Sequence, residues 1–266
     1  MGQSLGELVH WYDTSRCNLD CPGCFRERGL VETSLKQRED LARALVCHGV
    51  KQVNFGNGEP LLVSGLEKVL KVLHDSGVKT EIHTNGILLD KRRIEELAPF
   101  TDIIALPIDS LNPETQQRIR GKRFMPVLGR FQDLVGMIHD AGMCVGYHTV
   151  FTAINSNDVL PLWRYLNKRD FEYWRVYEFN GDLSMPRLEN SGNGIRRYRT
   201  IQRFGYQGTI KRLQTDCLFA KFILKEEEMS KFGDDRVQFV GVHDPQKNHI
   251  FSWMEKEMQE HTPGLE

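Results

Sequence analysis

Three of the chain's six cysteines, Cys17, Cys21 and Cys24, fall inside the short stretch "SRCNLDCPGCFRERG". Thiolates are soft ligands, and three on one loop can hold three irons of a [4Fe–4S] cluster while leaving the fourth iron open to a small ligand. Structural zinc asks for four closed ligands, usually as paired C-x2-C elements, and no second pair follows. The other cysteines, Cys47, Cys144 and Cys217, are scattered; they read as core residues and predict a single cluster.

The cysteine loop must be held by something, and the surrounding pattern says what. "ELVHWYD" (Glu7–Asp13) reads as a strand running into the loop. A helix follows, opened by a Ser34/Gln37 capping box and stopped near Gly49. Strands are predicted at Lys51–Phe55, Val78–Thr84, Asp102–Ile108, Met143–Phe151 and Glu172–Phe179. Between them lie helices: one capped by Ser64 with Glu67 and striped by Leu66, Val69, Leu70 and Leu73; one starting at Asp90; one at Asn112-Pro113; one carrying Phe131, Leu134, Val135 and Ile138; and one capped by Asn157. Strands joined by helical crossovers form parallel sheets with helices outside. Six such units fall two short of a closed eight-fold barrel, so the expected class is α/β, a partial (β/α)6 TIM-like barrel binding its ligands at the carboxyl ends of the strands. After about residue 180 the rhythm stops. Residues 181–266 are expected to form a C-terminal extension over the barrel mouth: a Gly-, Asn- and Arg-rich loop, strands in "QTDCLFAKFIL" and "RVQFVGV", and a helix in "HIFSWMEKEMQ".

The bulk numbers exclude several classes. With 266 residues, 40% hydrophobic, 27% charged and a formal net charge of −1, the chain is neither disordered nor built all over for nucleic acid. No apolar run is long enough to cross a membrane, and the first residues do not read as a secretory signal. The expected setting is the reducing cytoplasm, where clustered thiols bind metal rather than pair.

With these residues in view, the sequence resembles the radical S-adenosylmethionine (SAM) superfamily, whose cluster motif is C-x3-C-x2-C on the loop after the first strand of a partial barrel. Further matches fall in order. "FGNGEP" ends the second strand and is similar to the family's Gly-Gly-Glu-Pro motif, with Asn57 at its first glycine. "HTNG" ends the third strand, "PIDSLNPETQQRIRG" resembles the fourth-strand segment of the molybdopterin-precursor branch, and "HTVFTAIN" and "WRVYEF" carry the fifth and sixth. The resemblance implies cluster ligands Cys17, Cys21 and Cys24, and a SAM site drawn from Phe25, Gly56, Asn57, Gly58, Glu59, Pro60, Thr84, Asn85, Asp109, His148, Val150 and Val176. Glu59 would pair with the SAM ammonium. It also implies an electron from reduced flavodoxin or ferredoxin, and a 5′-deoxyadenosyl radical that abstracts hydrogen from substrate.

Substrate is read from other residues. From Arg187 to Arg212 seven basic residues face one acid, Glu189, and Arg175 sits inside a strand, where a cation needs an anionic partner. The segment through "YWRVYEF" is similar to viperin-type nucleotide enzymes. The expected substrate is a nucleotide or other phosphorylated small molecule, held by Arg175, Arg196, Arg197 and Lys211, with Cys217 a candidate hydrogen donor. Two other classes fit the same sequence: an activating enzyme making a glycyl radical on a partner protein, suggested by the "CPGC-aromatic" loop, and a peptide or RNA modifier.

Overall fold

A computed structural model describes residues 8–178, except 23, 25, 27, 28, 31, 152, 153, 156, 157 and 167, together with 237–240. Seven strands are present: β1 (Leu8–Thr14), β2 (Gln52–Asn57), β3 (Lys79–His83), β4 (Ile103–Pro107), β5 (Cys144–Phe151), β6 (Tyr173–Glu178) and β7 (Val237–Val240). The helices are α1 (Leu35–Cys47), α2 (Leu66–His74), α3 (Lys91–Leu97), α4 (Pro113–Arg120), α5 (Met125–Gly129), α6 (Phe131–Asp140) and α7 (Val159–Leu166). All strands pair in parallel in the order of the chain. Every crossover therefore advances the sheet by one strand in the same sense, which is the winding of a barrel. β1 and β7 remain edges, so the sheet is open among the described residues. The predicted (β/α)6 unit is present, and the segment read as "RVQFVGV" supplies β7, a seventh parallel strand beside β6.

The helix starts follow local chemistry. Ser34 and Gln37 form the predicted capping box on α1, Asp90 accepts from the backbone of Arg93 at α3, and Asn112 caps α4 with Pro113 behind it. α2 departs from expectation. Its N-cap is Gly65 at φ 75° with no side-chain cap, and the Ser64 carbonyl instead accepts from Arg38 Nη2 at 2.8 Å. Glycine tolerates this left-handed backbone, so the chain turns into the helix without a serine cap.

Strand alternation divides the sheet chemically. Val9, Trp11, Val53, Phe55, Ile82, Ile104, Leu106, Val145, Tyr147, Trp174 and Val176 pack in one core with the apolar stripes of the helices. The opposite face carries His10, Asn54, Gly56, Glu81, His83, Gly146, His148, Tyr173 and Arg175. Glu81 on β3 bonds Arg175 on β6 at 2.7 Å although two strands separate them. Such a contact needs a curled sheet, so this face lines a lumen. Cys47 and Cys144, expected in the core, are exposed instead, because each sits at the end of its element.

Candidate active site

The cysteine loop is locked to the end of β2 by backbone. Gly58 N donates to Thr14 O at 3.0 Å and Glu59 N to Arg16 O at 2.8 Å, while Asn57 Nδ2 reaches Thr14 O at 3.0 Å. A Cβ on Gly58 would lie 2.2 Å from Arg16 O, so only glycine allows this approach. Asn57 takes the left-handed backbone expected of it, with φ 81°. On the other side Arg16 clasps Glu32 through Nε at 2.5 Å and Nη2 at 2.8 Å, and the Thr14 hydroxyl also donates to Glu32. Beneath the loop a buried Arg38–Asp13 pair at 3.3 Å ties α1 to β1.

None of the three cysteines so held is in a disulfide; Cys21 is buried and Cys17 and Cys24 are half-buried. Burial pushes the Cys21 thiol up to about 11 and raises Cys17 as well, so both are protonated until a metal displaces the proton. Donors already face one of the sulfurs: Leu19 N lies 3.4 Å and Asn85 Nδ2 3.7 Å from Cys17 Sγ. The buried Asn18 Nδ2 has no partner among the described residues. Three thiols on one loop, with N–H donors turned towards Cys17, suit an iron–sulfur cluster better than a closed zinc site.

Glu59 joins β2 to β3 at the same level. It is 1% exposed and accepts from Thr84 Oγ1 at 2.6 Å, Asn85 N at 2.8 Å and Leu61 N at 3.2 Å. Burial raises its carboxyl to about 7 in spite of these three donors. Oε1 takes two donors and Oε2 only the Asn85 amide, so Oε2 keeps a lone pair for a cation.

Asp109, just past β4, is fully buried. Arg120 binds it bidentately (Nε to Oδ2 2.5 Å, Nη2 to Oδ1 2.9 Å), Gln116 Nε2 reaches Oδ2 at 3.2 Å, and Val150 N reaches Oδ1 at 2.7 Å. Its carboxylate is therefore a bracket between α4 and β5, and any ligand contact there would use backbone. His148 and Val150 face the lumen side, whereas Val176 is buried among the helix-facing core. Gly56 and Pro60 stand at the β2 end with Asn57 and Gly58. Arg175 finds its anionic partner within the protein, in Glu81, and its guanidinium stacks on Tyr173. Phe25, Arg196, Arg197, Lys211 and Cys217 lie outside the described residues, as does the Asn157 cap.

Sequence reading missed the centre of the lumen. Glu81 accepts from His83, Tyr173 and Arg175 at Oε1 and from Gln52 at Oε2. Burial alone would push this carboxyl up, but His83, Arg175 and His148 facing it hold it well below the usual range. His10 is driven down to about 4, by burial first and then by His83 and Arg175. One signal was available. Strands covered on both faces read as continuous apolar runs, yet "KTEIH" places Lys79, Glu81 and His83 at alternate positions and "CVGYHTVF" carries His148 in its middle.

An open parallel barrel with a three-cysteine loop at its carboxyl rim defines an iron–sulfur enzyme class. The family model described as the radical SAM superfamily matches residues 11–165, and the chain belongs to that superfamily. Its cofactors are accordingly a [4Fe–4S] cluster and SAM. An S-adenosylmethionine-dependent nucleotide dehydratase of Lacinutrix mariniflava is 30% identical over 183 residues, covering 64% of this chain and 38% of that protein. A second protein of that name, from Flammeovirga pacifica, is 25% identical over 66% of this chain and 64% of its own length. A GTP 3′,8-cyclase of Corynebacterium glutamicum is 31% identical over 57% of this chain and 44% of its own. The chain thus spans less than two thirds of these curated relatives. Among solved structures, Streptococcus suis SuiB bound to S-adenosylmethionine superposes with a TM-score of 0.63 at 17% identity, over 98% of this chain and 56% of that one. No helix among the described residues is long and apolar enough to cross a membrane.

Proposed function

We propose that this chain is a radical SAM enzyme acting on a nucleotide or other phosphorylated small molecule, with its cluster on Cys17, Cys21 and Cys24. The observation that carries the reading is the backbone lock between the cysteine loop and the Asn57–Glu59 turn, which puts three thiols and a buried carboxylate at one rim of the barrel. When bound, the cluster and SAM together supply a 5′-deoxyadenosyl radical. The chain's own residues set the stage for it. Glu59 Oε2 would receive the SAM ammonium, whose charge would draw the carboxyl back to its anionic form. Thr84 and Asn85 fix that carboxylate, and Asn85 also donates to Cys17. Gly58 keeps the loop and turn in contact.

The nucleotide reading is supported by the names of the relatives, two nucleotide dehydratases and a GTP cyclase. The arginine-rich segment from Arg187 to Arg212 would close over the mouth of the barrel, residues 1–180, and meet the phosphates with Arg196, Arg197 and Lys211. Flavodoxin or ferredoxin would deliver the electron, in the cytoplasm.

Anaerobic reconstitution should load about four irons per chain and, with dithionite and SAM, release 5′-deoxyadenosine. Cleavage that survives Cys24→Ala would sink the cluster assignment. Nucleotides should stimulate release, and a screen of phosphorylated compounds without stimulation would refute the substrate class.

A further inference from the structure

The lumen holds a second group of ligand-type side chains, unused by the cysteine loop. Glu81 and His83 from β3 and His148 from β5 each offer one donor atom, and these atoms lie within 4.8 Å of one another. The two imidazoles stand edge to face with centroids 4.3 Å apart, and His83 Nε2 meets Glu81 Oε1. We propose that Glu81, His83 and His148 form a binding site for one divalent transition-metal ion, separate from the cysteine loop.

Two imidazoles and a carboxylate with open positions are the donor set taken by divalent iron and zinc. A tetrahedral ion with bonds of about 2.1 Å separates its ligand atoms by roughly 3.4 Å; the three groups, now within 4.8 Å, reach that spacing by side-chain rotation, with the His83–Glu81 hydrogen bond opening to admit the ion.

Two of the three ligands, His148 and Glu81, have orienting partners of the kind that metal sites use. Tyr173 OH lies 3.2 Å from His148 Nε2 and also donates to Glu81, and Gln52 Nε2 holds Glu81 Oε2 at 3.0 Å. Glycines on the neighbouring strands admit these side chains: Gly56 stands beside the His83 ring, and a Cβ on Gly146 would fall 2.4 Å from the Tyr173 ring. Arg175 opposes the ion, because Glu81's charge is already met at 2.7 Å. An added dication leaves net positive charge in the lumen, so its open positions take an anion such as hydroxide.

The test is equilibrium dialysis of the full chain, cluster in place, against micromolar zinc, with zinc counted by mass spectrometry. One zinc per chain is expected, reduced at least tenfold in affinity by His83→Ala with His148→Ala. Arg175→Met should tighten zinc by about tenfold, since it removes a facing cation; a misfolded chain would not produce that gain. The chain with Cys17→Ala, Cys21→Ala and Cys24→Ala should keep the same stoichiometry, which separates this site from any failure of the cluster assignment. No zinc on the wild type, zinc retained by the double histidine variant, or no tightening with Arg175→Met would each overturn the proposal.

Discussion

Replacing Gly58 by alanine tests the geometry on which the whole site depends. The new Cβ would sit 2.2 Å from Arg16 O and 2.7 Å from Thr14 O, and both obstacles are backbone atoms that no rotamer can move aside. Relief requires the cysteine loop and the β2 turn to part, breaking the bonds from Gly58 N to Thr14 O and from Glu59 N to Arg16 O. Two such bonds, each costing about 1–3 kcal/mol when a half-buried partner is left unmet, come to roughly 4 kcal/mol. In a chain of this size that is a fall of about 8–16 °C in the unfolding midpoint. Thermal unfolding of the cluster-free protein measures it, and iron per chain after reconstitution should fall with it. Gly77→Ala is the control: it meets nothing within 4 Å but has φ 73°, so it should cost only about 1 kcal/mol. A Gly58→Ala chain that melts within about 2 °C of wild type and loads iron normally would show that the lock is not what holds the loop.

Three further outcomes are expected. Asp109→Ala strands the Arg120 guanidinium, only 17% exposed, and should cost about 3–5 kcal/mol by denaturant unfolding; adding Arg120→Met should recover part of the loss, and strict additivity would refute the bracket. Glu59's carboxyl rises from 4.5 to about 7 on folding, so the proton it holds favours the fold below pH 4.5, and that advantage is lost as pH rises towards 7. The stability of wild type relative to Glu59→Gln should therefore fall across this window, by at most about 3 kcal/mol, and be flat above it; a pH-independent difference would contradict the burial argument. Ser34→Ala removes the half of the α1 capping box in which Ser34 Oγ accepts from Gln37 N and should cost about 1 kcal/mol in the same assay, whereas no change would mean that the helix end is held elsewhere.

Much of the scaffold was legible because it rests on local rules. Periodicity marked the six strands, and Asp90, Asn112 and Ser34 announced their helices through side chains that bond within three residues. The α2 start misled because Ser64–Glu67 offers a cap that Gly65 makes unnecessary. Cys47 and Cys144 misled because a hydrophobic residue type says nothing about whether an element's end is covered. Spacing alone placed Cys17, Cys21 and Cys24 together, since seven residues of loop cannot carry them far apart.

What the sequence by itself determined, then, is the set of parts: three clustered thiols, a turn that needs Asn57 and Gly58, and strands alternating with helices. Only the tertiary structure decided which parts meet. Glu59 lies 25 residues from Thr84 in sequence and Glu81 lies 94 from Arg175, yet each pair is in hydrogen-bond contact. Those contacts follow from the sheet's curl and register, which arise from the packing of many residues at once. The same packing gave Asp109, an expected cofactor contact, a buried partner in Arg120. It also gathered His83, His148 and Glu81 from two strands into one lumen.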